Sequence, residues 1–210
     1  MTNLSPTLQK LVEGKKMQKQ LIEWSEGNWS TKPLATEVHD GNLFVTAVEG
    51  SDAWRLTSYG FVHDTEHALV KDFSVGEAVE VQFVAAFDSQ FDQAGVFVRG
   101  NDETWVKAGT EFADGILQLG AVVTSGMSDW SVAPVAEWSG LEICVRVSRH
   151  ENCLIIRAGI AGQPMRLVRV CPFSGDLPAQ AGPFTCAPTR AGLTVQFTKW
   201  QVGPADESLH

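Results

Sequence analysis

The run Trp105–Phe112, WVKAGTEF, sets an aromatic ring, an ammonium and a carboxylate at alternate positions. In an extended chain successive side chains point to opposite faces, so Trp105, Lys107, Gly109 and Glu111 share one face while Val106, Ala108, Thr110 and Phe112 share the other. The second set suits a core. The first is equipped to hydrogen-bond a polar ligand. Lys107 and Glu111 lie ~13 Å apart along a strand rising ~3.3 Å per residue, so they do not meet directly. Each is expected to pair across the sheet, with Asp92, Gln93 and Arg99 as candidate partners in a layer of charge-assisted hydrogen bonds.

Trp54, Trp105 and Trp130 add a second chemistry. Indole faces stack on the apolar faces of sugar rings while neighbouring amides and carboxylates accept bonds from hydroxyls, although each tryptophan taken alone serves core packing just as well. Asp129 stands beside Trp130 in SDWS, a polar, loop-like stretch. Hydrolysis of a sugar would need two carboxylates ~5–5.5 Å apart for retention or ~6.5–9.5 Å for inversion, and Glu111 with Asp92 on a neighbouring strand is the candidate catalytic pair. His63 and His67 have a spacing that would suit a helix, but Asp64, Thr65 and Glu66 between them read as a turn. Both are expected at the surface, and no metal site is expected. No G-x-S-x-G elbow occurs, and glycine clusters such as AGQP at Ala161–Pro164 read as turns, so no cofactor is expected.

The elements that must carry these residues are strands. From Trp24 onward short alternating runs are separated by glycine, aspartate and asparagine, the pattern of a β-sandwich. Strands are expected at Leu43–Val48, at AVEVQFVAAF from Ala78, at QAGVFVRG from Gln93, at the Trp105 run and at ILQLGAVVTS from Ile116. LEICVRVSR and CLIIRAG flank Glu151 and Asn152, and Leu193–Trp200 closes the series. Connections are short, so neighbours should be antiparallel, and about a dozen strands suffice for two stacked sheets. Ahead of them Ser5 and Pro6 form a helix start, followed by Leu8, Leu11 and Val12 at helical spacing. The expected organisation is an N-terminal helical extension over residues 1–22, a sandwich over 23–202 and a tail over 203–210.

Composition narrows the function classes. The 210-residue chain carries a formal net charge of −9, which opposes binding to nucleic acid or anionic membrane surfaces. No run of about 18 apolar residues would span a bilayer, and MTNLSPTLQK lacks the layout of a secretion signal, so a cytoplasmic location is expected. Cys144, Cys153, Cys171 and Cys186 form no CxxC pair and are expected as buried free thiols. A turn at Glu151 and Asn152 pairs Cys153 with His150 and leaves Cys144 well up its strand, against a disulfide.

The segments WRLTSYGFVHDTEHALV, FDQAGVFVRGNDETWVKAGTEFADG, SDWSV and CAPTRAGLTVQFTKW, taken in order, resemble the "regulation of enolase" family, which has a concanavalin A-like lectin and glucanase fold. The resemblance spans roughly Trp24 to Trp200. It implies an all-β jelly-roll sandwich of two antiparallel sheets with a concave face, and it implies no reaction. The family's recurring polar and aromatic blocks fall here on Trp54 and Arg55, Asp92 and Gln93, Trp105, Lys107 and Glu111, and Asp129 and Trp130; Cys186 matches the cysteine of its closing block. His67 matches a family position, but Ser58 stands where the family usually shows histidine before a Tyr-Gly pair. Glucanases of this architecture place their acids two and four residues apart on one strand, and no E-x-D-x-E or E-x-D-x-x-E run occurs here. Three readings follow: binding of a saccharide or other small polar ligand on the concave face without chemistry, a glycoside-active enzyme using Glu111 and Asp92, and a protein-interaction or regulatory module.

Overall fold

Each run that alternates apolar and polar residues forms a strand, and the strands pair into two antiparallel sheets packed face to face, the concanavalin A-like sandwich. The computed structural model describes residues 18–209, so the helix expected near Ser5 lies outside the described residues. The first sheet runs Arg166–Pro172, Cys153–Ile160, Glu142–Arg149, Glu77–Val84, Thr194–Pro204, Asn42–Thr46 and Ala35–His39, with Gln20–Leu21 added beside Thr194–Pro204. The second runs Met127–Pro134, Ile116–Ser125, Thr104–Ala113, Gln93–Asn101, Gln180–Cys186, His67–Asp72 and Asn28–Trp29. A separate hairpin pairs Ala53–Arg55 with Val62–Asp64. SDWS, expected as loop, lies within the edge strand Met127–Pro134, and its polarity reflects the largely exposed side chains there.

The main core fills the space between the sheets. Val79, Val81 and Phe83 from the first sheet face it, as do Val96, Val98, Val106 and Ala108 from the second. Each fully buried side chain of the size of Phe83 or Ile143 stabilises the fold by about 1.5–3 kcal/mol. A second, smaller apolar cluster sits on the outer face of the second sheet, where Phe97, Trp105, Val122, Phe184 and Cys186 pack with Ala53 of the hairpin. The hairpin is therefore a cover, and the sheet beneath it carries an apolar patch on its outer face as well as on its core face.

Turn chemistry fixes the central register. Asp114 and Gly115 both take positive φ, 55° and 78°, which closes the Ala113–Ile116 hairpin with the twist that two-residue turns require. At the edges of the expected sandwich, Ile22 enters the core and the last strand continues to Pro204. Asp206 accepts bonds from Arg146 Nε at 2.9 Å and Arg157 Nε at 3.1 Å. Residues expected in the extension and the tail thus pack as part of the sandwich. All four cysteines are free, with Cys144, Cys171 and Cys186 buried.

Candidate functional site

Register across the second sheet assembles the site in rows on its outer face. Lys107 lies opposite Phe97 on one side and Val122 on the other, and Val122 lies opposite Trp130. Two residues along, Gly109 is flanked by Gly95 and Gly120. Two residues further, Glu111 is flanked by Gln93 and Gln118. The glycine row is obligatory, because a Cβ on Gly109 would stand 2.0 Å from the Ala94 carbonyl oxygen and one on Gly95 would stand 2.0 Å from that of Ala108. It leaves a recess of about 20 Å³ between the Lys107 and Glu111 rows, the volume of roughly one water.

Above these rows opens a cavity of about 320 Å³. Gln93, Lys107, Glu111 and Val122 form its floor; Trp54, Tyr59, Phe61 and His63 of the covering hairpin, with Trp130, form an aromatic wall; Phe91, Pro188 and Thr189 complete the rim. The wall is a continuous series of ring contacts. Trp54 meets Trp130 edge-on at 6.5 Å and Tyr59 at 5.8 Å, Tyr59 stacks on Phe61 at 5.3 Å, and Phe61 meets His63 edge-on at 4.7 Å. Trp54 Nε1 donates to the Thr57 carbonyl at 2.9 Å, which fixes the indole plane.

The floor is organised by an ion pair that sequence reasoning missed. Lys107 Nζ donates to Asp52 Oδ1 at 2.7 Å, and the same oxygen accepts the Ala53 amide at 2.8 Å. Gln93 Nε2 donates to the Phe91 carbonyl at 3.1 Å and stands 3.5 Å from Asp52 Oδ1. Burial works to push the Lys107 ammonium down, but the Asp52 carboxylate and its other neighbours outweigh it and hold it above the usual lysine range. Burial pushes the Glu111 carboxyl up to about 7, against the pull of Lys107 and with help from Asp52 and Asp114. Among the described residues no donor bonds the Glu111 carboxylate. Cys186, its thiol pushed well up by burial, lies in the apolar cluster below the cavity and does not line it.

The expected site residues therefore divide. Trp54, Gln93, Lys107, Glu111 and Trp130 converge on the cavity. The other four do not. Trp105 is 3% exposed and stacks on Phe97 at 5.6 Å inside the outer-face cluster, so its ring is packing. Arg55 points away from the cavity and latches the hairpin, bonding the Gly126 carbonyl at 2.9 Å and the Glu103 carboxylate. Asp129 pairs with Arg169 at 2.9 Å, tying together strands of the two sheets. Asp92, with no exposed surface, takes both Nε and Nη2 of Arg190, the latter at 2.6 Å, so it is not brought together with Glu111 as a catalytic pair.

Two further expectations are corrected. His67 is 1% exposed, not a surface residue: its Nε2 accepts the Val48 amide at 3.0 Å while Nδ1–H donates to the Thr31 carbonyl at 3.1 Å. Burial lowers its pKa, and these two bonds specify the neutral ring. Lys107 was expected to pair with Asp92, Gln93 or Arg99; Arg99 instead pairs with Asp102 at 2.7 Å and Glu66 at 3.4 Å. Ser58 occupies the left-handed region in the turn of the covering hairpin, at φ 63°, and does not line the cavity. Among the described residues no three His, Cys, Asp or Glu side chains are grouped to hold a metal ion.

Tyr59, Phe61 and His63 could be suspected from the aromatic density of SYGFVH, but that stretch has no alternating pattern to show where it points. Asp52 carries no local signal at all.

Comparison with known proteins agrees with this architecture. The chain is 35% identical over 189 residues to "Regulation of enolase protein 1" of Saccharomyces cerevisiae, covering 90% of this chain and 95% of that protein. A solved structure of a functionally unknown protein from Saccharomyces cerevisiae superposes with a TM-score of 0.83 at 34% identity, covering 88% of this chain and 100% of that one. A legume lectin-like domain from Entamoeba histolytica shares the fold at 11% identity and a TM-score of 0.58, covering 90% of this chain and 97% of that one. The family model described as "Protein of unknown function (DUF1349)" matches residues 29–205, taking in every residue of the cavity and both sheets but for the Gln20–Leu21 strand and Asn28, and the chain belongs to that family.

Proposed function

We propose that the protein binds a saccharide or sugar derivative in the cavity under the Ala53–Asp64 hairpin and does so without chemistry. One observation carries this reading: an aromatic wall stands over a polar floor in a cavity of about 320 Å³. Ring faces there suit the apolar side of a pyranose, and Gln93, Glu111 and the Asp52–Lys107 pair suit its hydroxyls. The volume lies within the ~300–1,000 Å³ of small-molecule sites.

Binding is favoured over hydrolysis because the carboxylates are committed elsewhere. Asp92 is engaged by Arg190 and Asp52 by Lys107, which leaves Glu111 without a free acidic companion. The reading places the protein in the cytoplasm, supported by cysteines held as thiols.

Calorimetric titration against a panel of mono- and disaccharides tests it. At least one sugar should bind, and Trp130→Ala or Trp54→Ala should weaken that binding by about tenfold or more, the loss of one stacked ring. A panel in which nothing binds, or binding indifferent to both substitutions, overturns the proposal. Turnover of a bound sugar that disappears in Glu111→Gln would establish the hydrolase reading in its place.

A further inference from the structure

Resting on the sugar-binding reading, we infer that the ligand is a cationic saccharide, one bearing a protonated amine that pairs with Glu111. The titratable groups of the cavity are Asp52, Lys107, Glu111, Tyr59 and His63, with Asp114 acting on Glu111 from the adjoining turn. Lys107 is 5% exposed and bonded to Asp52 at 2.7 Å. Those two charges cancel, and no cation is left free among the described lining residues to receive an acidic sugar.

Glu111 is the charge that remains. It lines the cavity floor with no hydrogen-bonded donor and no ion-pair partner among the described residues. Neutral hydroxyls solvate an ionised carboxylate incompletely in such a site, whereas an ammonium compensates it directly. The wall reinforces the same choice. Trp54, Tyr59, Phe61 and Trp130 line the cavity, and aromatic rings attract a cation that settles over an open face. Burial, which raises the Glu111 carboxyl, works against the charged form until a cation arrives, so binding of an ammonium is coupled to release of any proton held there.

The test uses one sugar ring with three charges. Methyl glucoside, glucuronic acid and N,N,N-trimethylglucosamine, whose charge does not titrate, are titrated calorimetrically at pH 8, with tetramethylammonium as a cation lacking the ring. The trimethylammonium sugar should bind about tenfold tighter than methyl glucoside or better, with glucuronic acid weakest. In Glu111→Gln that advantage should vanish, the trimethylammonium sugar then binding within about threefold of methyl glucoside. Equal affinity for the charged and neutral sugars, or an advantage that persists in Glu111→Gln, overturns the cationic inference and leaves sugar binding standing. Tetramethylammonium binding as tightly as the trimethylammonium sugar overturns the saccharide component. Absence of binding by every probe overturns both.

Discussion

Glu111 takes its character from position. Four residues after Lys107 on the same face, it would be an ordinary strand carboxylate in water, but it lies on the cavity floor, where burial raises it to about 7 from 4.5. The pH dependence follows from that direction. Below 4.5 both native and unfolded chains hold the proton; between 4.5 and about 7 only the native chain holds it; above 7 neither does. Stability is therefore fully present at low pH and falls as pH rises across that window. Glu111→Gln, which mimics the protonated form, should match the wild type near pH 4.5 and exceed it at pH 8 by about 2–3 kcal/mol, a rise of roughly 5 °C or more in Tm. Thermal unfolding of both proteins at the two pH values checks this, and a difference independent of pH would exclude Glu111 as the source. The facing of Lys107 and Glu111 was legible from alternation alone. The partner of Lys107 was not, because Asp52 lies 55 positions away in a stretch with no strand pattern of its own.

Among the elements, loops decide the shape of the site. Asp92 caps its own loop by accepting the Ser89 amide at 3.3 Å and holds Arg190 of the loop that supplies Pro188 and Thr189 to the cavity rim. Asp92→Ala should lower stability by about 1–3 kcal/mol, since it leaves the Asp88 and Ser89 amides without their acceptor while the partly exposed Arg190 keeps Asp88 at 3.1 Å as a partner. Urea unfolding measures it. A catalytic role without a structural one predicts unchanged stability and lost turnover. The long inner strands were readable because their period of two extends over eight or more residues. The Ala53–Asp64 hairpin was not: its strands are three residues each, and Leu56 and Ser58 in its turn both take positive φ, at 63°. Such a hairpin is held by what it covers, through Ala53 in the apolar cluster and Arg55 on the Gly126 carbonyl.

The molecule as a whole joins a large core between the sheets to a smaller one outside them, with the cavity beside the second. Among the described residues no helix is long and apolar enough to cross a membrane. Thiol chemistry reports on the whole fold: burial raises Cys144 to about 12 and Cys171 to about 11, and Cys186 is buried with them, while Cys153 is partly exposed. A thiol-reactive chromogenic disulfide at pH 8 should therefore modify Cys153 first, with the other three reacting only on unfolding. Fast modification of more than one thiol in the native protein would contradict the packing. The sequence by itself determined the antiparallel sandwich, the inner strands and the shared face of Lys107 and Glu111. Side-chain alternation is local to a strand and survives in the one-dimensional pattern. Only the tertiary structure decided that Trp105 is packing, that Asp92 serves Arg190, that His67 is buried and that Asp52 completes the floor. What covers a face, and which distant residue meets it, depends on register and on contacts between segments that no local period encodes.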